Sequence, residues 1–183
     1  MNNTPTGIVV YGASSDRIAP EFKDAAEAVG RAIARAGVPL VNGAGAKGLM
    51  GAAIDGALAA GGSCIGVIPV FMAERGWTHH GLSDVRVTPT MHRRKELMAQ
   101  LSRGAIALPG GIGTFDELCE ILTWRQLKLY DGPVVILNTA DYYAPFLQML
   151  EKASADGFMR PGSENLYHVT SDPEEAVRLA LGK

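Results

Sequence analysis

The sequence predicts an α/β fold: a Rossmann-like, doubly wound parallel sheet with helices on both faces, built as one domain. Three observations carry that prediction. Short apolar runs alternate with stretches of helical periodicity from end to end, as right-handed crossovers between parallel strands require. Several runs are apolar throughout, as strands covered on both faces are. Three of the turns after strands are rich in small residues, and in such sheets ligands bind outside the carboxyl ends of the strands.

In chain order, the first strand is read at Ile8–Tyr11, followed by the turn Gly12-Ala-Ser-Ser15 and a helix over Glu21–Ala36. A second strand, Val38–Val41, leads through Gly43-Ala-Gly-Ala-Lys-Gly48 into a helix over Leu49–Ala60. Cys64–Ile68 and Val85–Val87 are strands separated by an irregular stretch between Val70 and Ser83 that holds Trp77, His79 and His80. A helix over Met91–Ser102 precedes the strand Ala105–Leu108, the turn Pro109-Gly-Gly-Ile-Gly-Thr114 and a helix over Phe115–Leu129. Val134–Leu137, a helix over Tyr143–Ala155, Leu166–Val169 and a helix over Pro173–Leu181 complete the series. No linker, repeat or low-complexity segment divides it.

A chain of 183 residues buries a core without staples. A 47% hydrophobic and 20% charged composition is that of a soluble globular protein. The formal net charge of -2 argues against nucleic-acid binding, which needs an excess of cations. Cys64 and Cys119 lie far apart and outside any metal-like spacing, so both are expected as reduced thiols. The start, Met1–Thr6, has no basic segment leading into an apolar one, and no apolar run reaches membrane-spanning length. The expectation is a cytoplasmic protein with no membrane contact. His79 and His80 lack further ligands in register, so a surface loop or pocket flap is expected rather than a metal site.

The three small-residue turns should open on one edge and floor a single pocket with backbone amides, each helix N-terminus adding partial positive charge. Gly43-x-Gly-x-x-Gly48 spells the dinucleotide fingerprint, yet it follows the second strand, and no acid stands about 20 residues on to grip a ribose. Close packing of helix on sheet through Gly48 and Gly51 competes there with phosphate or ribose contact. Pro109-Gly-Gly-Ile-Gly-Thr114 is the stronger signal. Gly110 and Gly111 are able to take positive φ and form an anion-binding nest. Thr114 suits a helix N-cap or a phosphate contact, and Glu117 would then occupy the reciprocal capping-box position.

Glu117 lies beside Ile121 and Trp124 on the helical wheel, at the margin of the apolar stripe, whereas Asp116 and Glu120 turn further toward solvent. A carboxylate held against apolar side chains at a pocket mouth acts as a base or steadies a developing cation. If Thr90 caps the preceding helix, Met91, Arg94, Leu97, Met98 and Leu101 form one stripe with Arg94 at its centre. Arg94 must then snorkel out or meet an anion. Arg93 suits a solvated face, and for Lys95 ligand contact and solvation stand level. The sequence points to an enzyme acting on a phosphorylated small molecule, with a nucleotide carrier or sensor as the rival.

Met91-His-x-Arg-Lys95 followed by Pro109-Gly-Gly-x-Gly-Thr-x-x-Glu117 resembles the paired signature of the Lonely Guy family. Those enzymes are cytokinin riboside 5′-monophosphate phosphoribohydrolases, often mislabelled as lysine decarboxylases. The resemblance extends through Tyr11-Gly-Ala-Ser-Ser15, Gly48-Leu-Met-Gly51, Gly66-Val-Ile-Pro69 and Thr123-Trp124. It implies Arg94 and Glu117 as the catalytic pair. Substrate contacts are expected at Lys95, at Gly110, Gly111, Ile112, Gly113, Thr114, Phe115 and Asp116, at Thr123, and in the other two turns at Ser14 and Gly45. It also implies a homodimer, a nucleotide substrate, and no metal or organic cofactor. Two departures stand out: Ala44 replaces the middle glycine of the second turn, where its methyl would narrow backbone access. Gly76 occupies the position of a substrate-contacting glutamate in plant members, with Glu74 nearby.

Overall fold

The computed structural model describes residues 6–183; the segment Met1–Pro5, on which the expectation of no leader largely rests, lies outside the described residues. Seven parallel strands form one sheet in the order β4-β3-β2-β1-β5-β6-β7. They are β1 (Gly7–Tyr11), β2 (Leu40–Asn42), β3 (Cys64–Pro69), β4 (Asp84–Thr88), β5 (Ser102–Ala107), β6 (Val134–Leu137) and β7 (His168–Thr170). The helices are α1 (Pro20–Arg35), α2 (Gly48–Ala59), the single turn α3 (Val70–Ala73), α4 (Met91–Gln100), α5 (Ile112–Gln126), α6 (Ala144–Ala155) and α7 (Pro173–Ala180).

Alternation along β1 assigns the two faces. Ile8 and Val10 join Val29, Ile33, Ile54 and Val177 from α1, α2 and α7 in one core layer. Val9 and Tyr11 join Met98, Leu118, Ile121 and Tyr143 in the other, beneath α4, α5 and the start of α6. All five β1 residues are buried, as a strand covered on both faces must be. The strand order reverses between β1 and β5, which pair from Gly7↔Ser102 to Tyr11↔Ala107. The crevice outside their carboxyl ends is where open α/β sheets hold ligands.

Among the boundaries that differ from the sequence reading, three have a clear local reason. The helix expected to run to Ser102 stops at Gln100: the Ser102 hydroxyl donates back to the carbonyls of Met98 and Ala99, and β5 begins at Ser102 itself. The last strand starts at His168, where pairing with Val135 begins, and Leu166 falls in a 3-10 turn over Ser163–Leu166. The helix expected from Phe115 begins at Ile112, because extended Gly111 (φ -92°, ψ -156°) is its N-cap. Thr114 is therefore the third helical residue and Glu117 the sixth, so the capping-box reading is wrong.

Candidate active site

Arg94 and Glu117 meet across the crevice between α4 and α5. Thr90 caps α4, its hydroxyl accepting from the Arg93 amide, and this sets the helix phase. Arg94 then points under the helix and is 6% exposed, while the neighbouring Arg93 side chain is 63% exposed and pairs with Glu96. The Arg94 guanidinium is held at three points: Nε donates to the Val67 carbonyl (3.0 Å), Nη2 to the Gly43 carbonyl (3.2 Å) and Nη1 to Glu117 Oε1 (3.3 Å). A guanidinium carries five N–H donors, so two remain for a ligand. Gly43 is glycine for this arginine's sake: a Cβ there would lie 1.7 Å from Nη2.

The Glu117 side chain is 11% exposed. Burial pushes its carboxyl up, Arg94 and Lys95 pull it down, Asp116 and Glu120 push it up, and the result is about 7. A carboxylate poised there exchanges protons at neutral pH. Beneath it, burial and the proximity of Glu117 raise the Tyr11 phenol well above its ordinary value.

The turn between β5 and α5 presents its amides to the crevice. The first α5 amide with a protein acceptor is that of Phe115, which donates to Gly111. Among the described residues the amides of Ile112, Gly113 and Thr114 have no such partner. Three unpaired N–H groups at a helix start are able to accept an anion. Gly111 and Gly113 face open space, and the Thr114 hydroxyl lies 2.1 Å from where a Gly110 Cβ would sit. None of these glycines takes the positive φ expected of Gly110 and Gly111; their small size serves access instead. Two tyrosine hydroxyls brace the turn from behind, Tyr142 on the Gly110 carbonyl and Tyr143 on that of Leu108.

The second glycine turn corrects the picture of one pocket floored by amides from three turns. Asp16 accepts from the Gly48 amide (2.9 Å), and the Ala13 carbonyl accepts from Leu49 and Met50. The α2 N-terminus is thus satisfied from within the chain. Gly48 (φ +63°) and Gly51 lie against the Ala13 and Ala46 carbonyls, so close packing is their role. Ala44 also has a left-handed φ of +64°, and its methyl is turned toward Gly66 on β3, so it does not narrow ligand access. Asn42, fully buried, ties this turn down by accepting from the Ala44 amide and donating to the Met50 carbonyl.

The other candidates separate. Lys95 is buried and bonded to Asp116 and Glu120. Burial works to lower its pKa, and the bonds to the two carboxylates outweigh it, leaving a net rise. Phe115 packs against Tyr143 and Phe146, facing the core. Ile112 is exposed at the mouth. Ser14 is exposed in the turn after β1, and Gly45 is covered by Met50 and bridged to Thr78. Six residues on from Glu117, Thr123 is turned about 120° away round α5. It bonds the Cys119 carbonyl and lines a groove with Phe146, Leu150 and Met159. Within one chain it does not join Arg94 and Glu117. The expected flap is partly built: after α3, Trp77 and His79 pair by backbone with Ala46 and Ala44. His79 also bonds Asp55 (3.0 Å). Among the described residues no three His, Cys, Asp or Glu side chains gather as a metal site.

Sequence reasoning missed Asp16, Asn42 and the two bracing tyrosines. Each acts on backbone distant in sequence or in a turn, and no local pattern signals that.

Fold and site together define a class: an α/β protein with a doubly wound parallel sheet, in which a helix start with unpaired amides lies beside a buried carboxylate–guanidinium pair. Comparisons narrow it. The family described as possible lysine decarboxylase matches residues 50–180. The cytokinin riboside 5′-monophosphate phosphoribohydrolase of Rhodococcoides fascians is 42% identical over 95% of this chain and 88% of its own. The enzyme of that name in Arabidopsis thaliana is 37% identical over 93% and 80%. A molybdenum cofactor carrier protein of Chlamydomonas reinhardtii superposes with a TM-score of 0.72 at 27% identity, covering 98% of this chain and 100% of that one. The chain belongs to the Lonely Guy family, that of the cytokinin riboside 5′-monophosphate phosphoribohydrolases.

Proposed function

We propose that this protein hydrolyses the N-glycosidic bond of adenosine 5′-monophosphates, preferring those that bear a prenyl group, to give the free base and ribose 5-phosphate. The observation that supports this reading most is the buried Arg94–Glu117 pair beside the open amides of α5. The 5′-phosphate rests on the amides of Ile112, Gly113 and Thr114 and supplies binding energy away from the reacting carbon. As the bond to the base lengthens, positive charge grows at the anomeric carbon, and ionised Glu117 offsets it and takes a proton from the attacking water. Arg94, with two free N–H groups, holds substrate oxygens or the departing base.

Lysine decarboxylation fits this chain poorly. Pyridoxal chemistry needs a lysine free to form a Schiff base, whereas Lys95 is locked in an ion pair and Lys47 is exposed at the start of α2. One observation favours a second reading, a carrier without turnover: the likeness to the molybdenum cofactor carrier. Incubation with adenosine 5′-monophosphate and its isopentenyl form, followed by chromatography for free base, separates the readings. Release of base and ribose 5-phosphate is expected; tight binding with no product would leave the carrier.

The working form is a cytoplasmic homodimer on this reading, with the Thr123 groove facing a second copy. Sedimentation at micromolar concentration should return twice the chain mass of 19.3 kDa. Among the described residues no helix is long and apolar enough to cross a membrane.

A further inference from the structure

Resting on the reaction above, we infer that Lys95 is a positioning residue and not a substrate contact: its ammonium clips α4 to α5 through Asp116 and Glu120, and so sets the charge around Glu117. A lysine ammonium has three N–H donors. Nζ meets three oxygens, Asp116 Oδ1 at 3.1 Å, Asp116 Oδ2 at 2.9 Å and Glu120 Oε1 at 3.2 Å. No donor is left over, in contrast to Arg94, which keeps two. The side chain is 8% exposed, while its partners Asp116 and Glu120 are 55% and 26% exposed. The cation is therefore the enclosed member and the carboxylates form its lid, so a phosphate would have to displace them to reach it.

The clip matters because three carboxylates crowd one turn and a half of α5. Glu117 is faced by Arg94 and Lys95 from α4, by Asp116 and Glu120 on its own helix, by Tyr11 from β1 and by Tyr143 at the start of α6. Lys95 offsets part of the charge of the two carboxylates that do not enter the crevice. Without its charge, Asp116 and Glu120 act on Glu117 unopposed and favour its protonated form. The same bonds fix the α5 turn that aims Glu117 at Arg94.

The test titrates the Glu117 carboxyl carbon by NMR in the free protein, assigned by its loss in Glu117→Gln. An opposite charge within about 4–6 Å moves a carboxyl by about one unit or more. Lys95→Met should raise the Glu117 midpoint by about one unit, and Lys95→Arg should keep it within about 0.3 units. The double variant Asp116→Asn/Glu120→Gln, with the lysine left unopposed, should lower it. The acid limb of kcat/KM should move with the midpoint, and KM for adenosine 5′-monophosphate should change less than about threefold. Unmoved midpoints overturn the proposal, as does a KM risen about tenfold with an unmoved limb, the signature of a lost ligand contact. If Lys95→Met does not fold, Lys95→Arg and the double variant carry the same comparison. The NMR titration needs no turnover, so a protein that cleaved no nucleotide would defeat the proposed reaction while leaving this result readable.

Discussion

Two glycine-rich turns leave the same edge of the sheet, one into α2 and one into α5, and the chain treats them in opposite ways. The α2 start is closed: Asp16 sits on its first amide and the Ala13 carbonyl on the next two. The α5 start is left open, with Gly111 and Gly113 facing free space. By spelling, the α2 turn is the better match to a nucleotide fingerprint, yet it is the one already satisfied. What separates them is the Asp16 carboxylate and the Ala13 carbonyl, both from the loop after β1, so an anion site is defined by what the rest of the chain leaves unpaired, not by the glycines alone.

The comparison breaks most visibly at the chemistry beside the open turn. Glu117→Gln should lower turnover about 100-fold or more, the scale of a lost acid–base or electrostatic contribution, with KM changed little; retention of half the turnover would detach the open turn from any catalytic role. The same variant should alter how stability depends on pH. The folded protein holds the Glu117 proton to about pH 7, above the ordinary 4.5 at which the unfolded chain releases it. Between those values the folded state binds more protons, so this group's contribution to stability falls as pH rises. Thermal melts from pH 5 to 8 should show that slope flattened in Glu117→Gln.

Removing the substrate's 5′-phosphate probes the open amides directly. Adenosine should be cleaved with an efficiency about 100-fold or more below that of its monophosphate, because remote binding and positioning are lost together. Equal efficiencies would mean that α5 holds no phosphate. At the closed turn, Asp16→Ala should lower the melting temperature by a few degrees through the lost cap and leave KM for the nucleotide unchanged. A KM that fell would show that Asp16 had been blocking a second anion site. The smallest effect is expected from Ala44→Gly. Ala44 stands at φ +64°, a conformation that costs a residue with a Cβ about 1 kcal/mol, so calorimetry should find the variant slightly more stable and equally active.

The order of strands and helices was legible because apolar runs and helical spacing report burial directly. Arg94 was legible for the same reason, since a cation in the middle of an apolar stripe contradicts its surroundings. Glu117 was found from the wheel, but its relation to Thr114 was misjudged because Gly111 makes an N-cap without a side chain, which moved the helix start three residues. The closing of α2 was not legible. Asp16 and Ala13 reach it from a different loop, and nothing in the spelling of Gly43–Gly48 marks the amides as spent. Lys95 showed as a cation of uncertain use; that its partners lie 21 and 25 positions on, across a helix pair, emerges only in three dimensions.

The contact between Gly43 and Arg94 has an evolutionary consequence. Because Nη2 occupies the space where any side chain at position 43 would begin, the two positions are not free to drift separately, although 51 residues lie between them. A lineage that changes the glycine first loses the arginine's seat, so the permitted order of substitution runs through the arginine. Descendants of this fold that have given up the arginine should show position 43 released to alanine or serine, while those that keep it should remain glycine there. An alignment of diverged relatives would therefore mark which branches abandoned the chemistry, from a residue that never touches the substrate through a side chain of its own.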